Sequence, residues 1–504
     1  MGTRQIDAAL SETGETRFSR RDALILTFIA CLALAVRVLP SSLLHYESSP
    51  DEIFQYYEQA HRLVFGSGIV PWEYHEGTRS WFLPIVLASV MYFCSLFSDS
   101  PQIYFIACRA ILGMLSLSVV YVAYQYLPPR LSEVGRFPVT LLCALFPYLA
   151  FFGAVALTET VATHLIFIAF ILFRHRWVRR APLQFMTIGV LLGLAFWLRI
   201  QLTPLLLVIG VYFCGVNVVR WCRLGSGFAV SILLVGVILD AITWGAPFHS
   251  LWANIRANVI MDVSSSFETT PFLGYLSKVR DHWPAATPLA LLFFIGAVRQ
   301  PIFALCGAVV LLSYSLVPHK ELRFMYPALC FLAISSGYGI AEIACWAAQA
   351  GRARLQGASA GMALAGVSVS VVAALSIQVQ TGDWVRHSGN VLAFLEIRDD
   401  PHLCGVAVQG ISWWDTGGYA TLHRDVPIFF DSVHRVERFP SGLQKLTTVV
   451  LNGRELGAAG PYNVLIAKTE GVDPAFRKRQ CFPNGGESGL AEICIFDRVS
   501  GCTP

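Results

Sequence analysis

The chain has 504 residues, 55% of them hydrophobic and only 14% charged, with a net charge of +4 and a mean hydropathy of +0.57. Soluble domains carry about 25% charged residues, so this composition excludes an ordinary soluble enzyme and points to an integral membrane protein. The small positive excess sits in short clusters between apolar runs and calls for no nucleic-acid partner.

Residues 1–21 are polar, end in Arg17, Arg20 and Arg21, and read as a cytoplasmic tail. The apolar stretch that follows lacks an A-x-A-like cleavage site, so a first transmembrane helix is expected and not a cleavable signal peptide. Apolar segments fall near 22–39, 80–98, 102–127, 137–152, 156–173, 183–197, 200–219, 226–244, 285–298, 301–317, 324–349 and 360–380. Backbone amides must be satisfied internally in lipid. The segments are therefore expected to be helices, about 11–13 spans in a polytopic α-helical membrane domain over 22–380. Basic turns at 174–180, 220–223, 299 and 352–354 are expected in the cytoplasm. That puts the loops 40–79, 245–284 and 318–323 outside, together with 381–504. Crossings counted from the two ends disagree in parity between 80 and 136. Either one segment there does not fully cross, or 102–127 holds two short crossings.

The outer loop 40–79 is dense in chemistry. Pro50 is followed by two adjacent carboxylates, Asp51 and Glu52, then by an aromatic-rich amphipathic run with Glu58 and His61. After a break at Gly66 and Gly68 come Trp72, Glu73, Tyr74, His75 and Glu76, and then Arg79. A second island, His319, Lys320, Glu321 and Arg323, opens a long apolar helix; so many ionisable groups at a membrane edge are costly unless paired or solvated. Its cations suit a bound phosphate, or else snorkel as interfacial anchors. Arg199 and Glu159 lie at the ends of apolar runs on the same expected side, which favours a shared polar pocket. The loop 245–284 adds His249, Asn254, Asn258, Asp262 and several aromatics, a mixture that suits sugar rings and an interfacial belt equally.

From about 381 the composition changes to short β-like runs at 405–408, 462–466 and 493–496, separated by turn residues. A small extracytoplasmic soluble domain, α/β or mostly β, is expected. Of the 13 cysteines it holds Cys404, Cys481, Cys494 and Cys502. They show no C-x-x-C spacing, so zinc is not expected, and Cys481–Cys494 is the simplest disulfide.

The motif Pro50-Asp51-Glu52 with Phe54, Gln55, Glu58 and His61 resembles the first luminal loop of the polyprenyl(dolichyl)-phosphate-mannose-dependent mannosyltransferases of glycosyltransferase family 22. These have the GT-C architecture and build GPI anchors and asparagine-linked glycans. The resemblance continues through Trp72-Glu73-Tyr74 and Thr78-Arg79-Ser80. It is most specific at His319-Lys320-Glu321-Leu322-Arg323-Phe324, which is similar to that family's H-K-E-x-R-F motif. Thr158-Glu159, Arg199 with Pro204, and Asp240 before Trp244 fall in the expected order, so the likeness covers roughly 20–350. Ser49 stands where many relatives have His. In the C-terminal domain, Gly417-Gly418-Tyr419 with 422–427 is similar to bacterial-type members, which implies a bacterial inner membrane with the site facing the periplasm.

The resemblance implies a polyprenyl-phosphate sugar donor, with mannose the expected sugar, and a glycan or glycolipid acceptor. Asp51 would be the general base, and Glu52 would orient the acceptor or share that role. His319, Lys320, Arg323 and Arg199 would face the donor phosphate. Glu58, His61, Trp72, Glu73, Arg79 and Glu159 would line the sugar or acceptor site. The transfer would invert configuration and need no metal or cofactor. The alternatives are a transporter or flippase of a lipid-linked glycan, and a GT-C enzyme that uses another polyprenyl-phosphate sugar.

Overall fold

The computed structural model describes residues 20–44, 48–175, 183–266, 268–282, 286–350, 385–430, 460–468, 472–485 and 491–499. The polytopic helical class is what the chain forms. Among the described residues, four helical stretches are long and apolar enough to cross a membrane: Asp22–Pro40, Pro101–Gln125, Val218–Trp244 and Leu322–Ile343. Shorter apolar helices pack among them at Phe82–Ser95, Gly135–Leu145, Leu183–Leu198, Ile200–Cys214 and Pro301–Ser315. The apolar segment expected at 360–380 lies outside the described residues.

Helices take their bounds from local chemistry. Pro101 and Pro301 each open a helix at a position where the missing N–H costs nothing. Phe146, with ψ of 121° before Pro147, ends one helix and lets the next begin, as a residue preceding proline must. The segment near 102–127 is one continuous 25-residue helix, whereas Phe82–Ser95 has 14 residues. At 1.5 Å per residue the latter is about 21 Å long, short of a hydrocarbon core of about 30 Å. The segment 102–127 is thus a single helix and not two short ones.

Small residues set the closest helix pairs. Leu183–Leu198 and Val218–Ser231 touch backbone to backbone at Gly189 and Gly227, where any Cβ would collide with the facing carbonyl of Leu224 or Met186. In lipid, where no hydrophobic force pulls helices together, such close approach supplies the packing energy.

The C-terminal region forms a five-stranded sheet of β1 (Val406–Gln409), β2 (Ile428–Phe430), β3 (Val464–Ala467), β4 (Phe476–Asn484) and β5 (Ala491–Arg498). Its order is β2-β1-β3-β5-β4. β1 is parallel to β2 and β3, and β5 is antiparallel to β3 and β4. Strand alternation divides the core. Val406, Val408, Ile466 and Ile495 join Ala393, Phe394 and Ile397 of helix Ser388–Arg398. Ala407, Leu465, Phe476 and Phe496 face the other way. The region is therefore α/β, and Cys481–Cys494 is a disulfide across β4 and β5.

Candidate active site

Within the loop 40–79, Ser49 caps a helix opened by Pro50: the Asp51 N–H donates to Ser49 Oγ at 3.4 Å. Asp51 therefore sits in a first helical turn, where the helix dipole favours an anion. The next residues, Glu52–Tyr57, form a π-helical turn. A π turn widens the backbone and is often found at functional sites.

Arg323, from the second polar island, closes on this turn. Its guanidinium pairs with Asp51 Oδ2 at 2.8 Å, donates to Ser49 Oγ at 2.7 Å, and pairs with Glu321 at 2.7 Å. His319 in turn meets Glu321 at 2.8 Å and the Glu268 carbonyl at 3.0 Å. Burial alone would push the His319 imidazole down, but these two acceptors outweigh it and hold its pKa above the usual value. Glu321 is held well below the carboxylate range, because Arg323 and His319 overcome the cost of its burial. Lys320 is buried, and its ammonium donates to the Thr270 and Val317 carbonyls at 3.1 and 2.6 Å.

A third strand of the site comes from the membrane helices. Tyr56 donates to Thr158 Oγ1 at 3.3 Å, which donates to Glu159 at 3.1 Å. Glu159 pairs with Arg199 at 3.1 Å, and Arg199 donates to Tyr314 at 3.2 Å. The Phe324 ring lies against both guanidiniums, 4.6 Å from Arg199 and 5.3 Å from Arg323. Cation–π contact of this kind favours desolvated arginine and spaces the two like charges.

Glu73, on the short helix Trp72–His75, completes the cluster and accepts from Gln55 at 2.8 Å. Its pKa is raised to about 7, first by burial and then by the Asp51 carboxylate, against the pull of Arg79 and Arg323. The loop thus brings together two carboxyls from different helices, Asp51 in the turn opened by Pro50 and the buried Glu73 on Trp72–His75. The loop 245–284 roofs the same face: Trp244 and Asn254 donate to the Arg79 and Thr78 carbonyls at 3.2 and 3.4 Å. A cleft of about 540 Å³, including its open mouth, is lined by Tyr56, Arg79, Thr158, Trp197, Gln201 and Asn254 among others.

Asp51, Glu73, Arg79, Glu159, Arg199, His319, Lys320 and Arg323 are thus brought to one face. Other expected site residues go elsewhere. Glu52 points inward and is fully buried, paired with Arg109 at 3.2 Å. It also accepts from Ser48 at 2.5 Å and from the Ala156 N–H at 3.2 Å. Trp72 packs against Ala257, Val263 and Met261 under the loop 245–284. Asp240 accepts the Ser250 N–H and hydroxyl at 2.9 and 2.7 Å, which ties that loop to its helix.

Glu58 and His61 face the C-terminal sheet region. Glu58 accepts the Ile69 and Ala420 N–H groups, both at 2.5 Å. Gly418 lies so close to its carboxyl that a side chain there would collide. His61 Nδ1 meets the Ser67 carbonyl at 2.7 Å and must donate to it, so His61 Nε2 accepts the proton of His423 Nδ1 at 3.0 Å. Tyr104 donates to the Ala420 carbonyl, and Phe54 packs edge-on to Trp413 at 4.8 Å. Sequence reasoning missed Arg109, Tyr56 and Tyr314. Arg109 carried a signal, as a lone charge within an apolar span; the two tyrosines carried none that distinguishes them from core aromatics.

Comparison with solved structures finds ArnT from Cupriavidus metallidurans, crystallised with undecaprenyl phosphate. It matches with a TM-score of 0.62 at 10% identity, over 95% of this chain and 99% of that one. The likeness establishes a shared GT-C fold. Among curated proteins, GPI alpha-1,2-mannosyltransferase 3 of Homo sapiens is 28% identical over 63% of this chain and 58% of its own length. The Bos taurus protein of the same name is 26% identical over 63% and 60%, and GPI mannosyltransferase 3 of Yarrowia lipolytica is 23% identical over 58% of each. The matches span about 60% of the length of these relatives. The family model for Alg9-like mannosyltransferases matches residues 27–396, the span that carries the whole charged cluster, and the chain belongs to that family.

Proposed function

We propose that the protein transfers a sugar, mannose in the first instance, from a polyprenyl-phosphate donor to a glycan or glycolipid acceptor. The observation that carries this reading is the Asp51–Arg323 ion pair. It joins a carboxylate of the loop 40–79 to the arginine of the H-K-E-x-R-F motif, in a family of mannosyltransferases. Asp51 is the general base. As the acceptor hydroxyl attacks the anomeric carbon, its proton passes to Asp51. The bond from that carbon to the phosphate oxygen breaks, and the electron pair leaves on the phosphate. A single displacement inverts configuration, and fixed cations stabilise the charge that develops on the leaving group. The loops 40–79, 245–284 and 318–323 and the C-terminal sheet region lie outside the cytoplasm, in a bacterial member on the periplasmic side of the inner membrane.

Asp51→Asn tests the reading. It keeps the size of the side chain but cannot take the proton, so sugar transfer from polyprenyl phosphate should fall by about a hundredfold or more. Donor binding and melting temperature should stay close to wild type. A folded variant that turns over at the wild-type rate would remove Asp51 from the chemistry.

A further inference from the structure

We infer that the donor phosphate is held by Arg79, in the cleft between the first outer loop and the ends of two membrane helices. The inference rests on the proposed lipid-phosphate-sugar reading and assigns its anion-binding group. The cations of the H-K-E-x-R-F island are already engaged. Arg323 holds Asp51, Glu321 and Ser49. Arg199 holds Glu159 and Tyr314, and the Lys320 ammonium donates to two carbonyls. A phosphate on Arg323 would have to displace Asp51 or Glu321, and removing Asp51 from its place would disorder the base.

Arg79 differs. Among the described residues its guanidinium makes no hydrogen bond or ion pair, and its Nε is buried without a partner. The side chain is only partly buried, but its Nε is shut off from water without an acceptor, and an anion in the cleft would supply one. Arginine is suited to the task because its planar fork meets phosphate oxygens two at a time. The cleft around it has the right division of character. Tyr56, Thr158, Gln201 and Asn254 offer polar atoms, while Phe82 and Trp197 come from the ends of apolar helices. A phosphate at Arg79 would leave a prenyl chain against those helices. The sugar would then reach Tyr56 and Thr158, which lead through Glu159 and Arg199 to Phe324 and Arg323 beside Asp51.

Binding of a short-chain polyprenyl phosphate without sugar, to the full-length protein in lipid nanodiscs, tests the assignment. Arg79→Ala should weaken binding by about tenfold to a hundredfold, the range for a charge-assisted contact, and Arg79→Lys should recover part of it. Gln201→Glu, which leaves Arg79 in place but puts a negative charge into the cleft, should weaken the same ligand. Neutral polyprenol should bind wild type and all three variants alike, and inorganic phosphate should compete weakly. Arg323→Ala should keep polyprenyl-phosphate affinity within about threefold while losing turnover. Unchanged affinity in folded Arg79→Ala, with the loss seen in Arg323→Ala, overturns the assignment. Failure of the wild-type protein to bind polyprenyl phosphate would instead overturn the reading of the donor on which it rests.

Discussion

At the scale of single residues, Glu73 lies in the same charged cluster as Asp51 and is pushed upward by burial and by that neighbour. Glu73, with a pKa raised to about 7, is half protonated near neutrality. As pH rises through that value it gains a negative charge beside Asp51, in a site proposed to receive an anionic phosphate. The donor KM should therefore rise above pH 7, by about fivefold if the added repulsion is about 1 kcal/mol. Glu73→Gln stays neutral and should show no such rise. Donor KM measured from pH 6 to 8.5 in both proteins decides this, and parallel profiles would show that Glu73 does not govern donor binding. The adjacent carboxylate Glu52 is fully buried on the π turn and paired with Arg109, where Asp51 pairs with Arg323.

At the scale of elements, the Glu52–Arg109 pair fastens the π turn to helix Pro101–Gln125, and the Ala156 N–H adds the turn before helix Thr158–Arg174. Both side chains are removed from water, with relative exposures of 5% for Arg109 and 0% for Glu52. The pair itself adds little net stability, but breaking it strands one charge. Glu52→Gln should cost about 3–5 kcal/mol, read as a lower melting temperature and a lower yield of folded protein. The double change Glu52→Gln with Arg109→Met should recover much of that loss. A well-folded Glu52→Gln protein with its melting temperature unchanged and its turnover abolished would instead place Glu52 in the chemistry.

At the scale of the whole molecule, the C-terminal region is latched to the loop 40–79 by Glu58 and His61 and to helix Pro101–Gln125 by Tyr104. Burial raises the Glu58 pKa from 4.5 to about 8, against three backbone N–H donors, of Ala420, Ile69 and Tyr419, and the charge of Arg62. Between those values the folded protein keeps a proton that the unfolded chain has lost. The stabilisation from this group is therefore complete below about pH 4.5, declines as pH rises, and is gone above about pH 8. The melting temperature should fall with rising pH across this window in wild type and fall less in Glu58→Gln, which cannot titrate. Equal slopes would mean that the latch does not depend on this carboxyl. His61 is pushed down to about 4 by burial and stays neutral throughout the window, so its bond to His423 persists.

Much of this molecule could be read from the chain alone, for a physical reason: apolar length and the positions of flanking charges depend only on sequence. The membrane-spanning class follows from hydropathy, and the family from two contiguous motifs at 50–61 and 319–324. The three runs at 405–408, 462–466 and 493–496 became β1, β3 and β5, since alternating apolar residues between turns leave few other choices. β2 and β4 were not legible: the first has only 3 residues, and most of the second is exposed. Partnership is what the tertiary structure decided. Nothing in the order of residues says that Arg323 meets Asp51, that Phe324 spaces two guanidiniums, or that Glu52 turns away toward Arg109. Nor could sequence say that Glu58 and His61 meet the C-terminal region while, among the described residues, the Arg79 Nε is buried without a partner. A charge in a protein is defined by what lies within a few ångströms of it, and those neighbours come from segments as far as 362 residues apart.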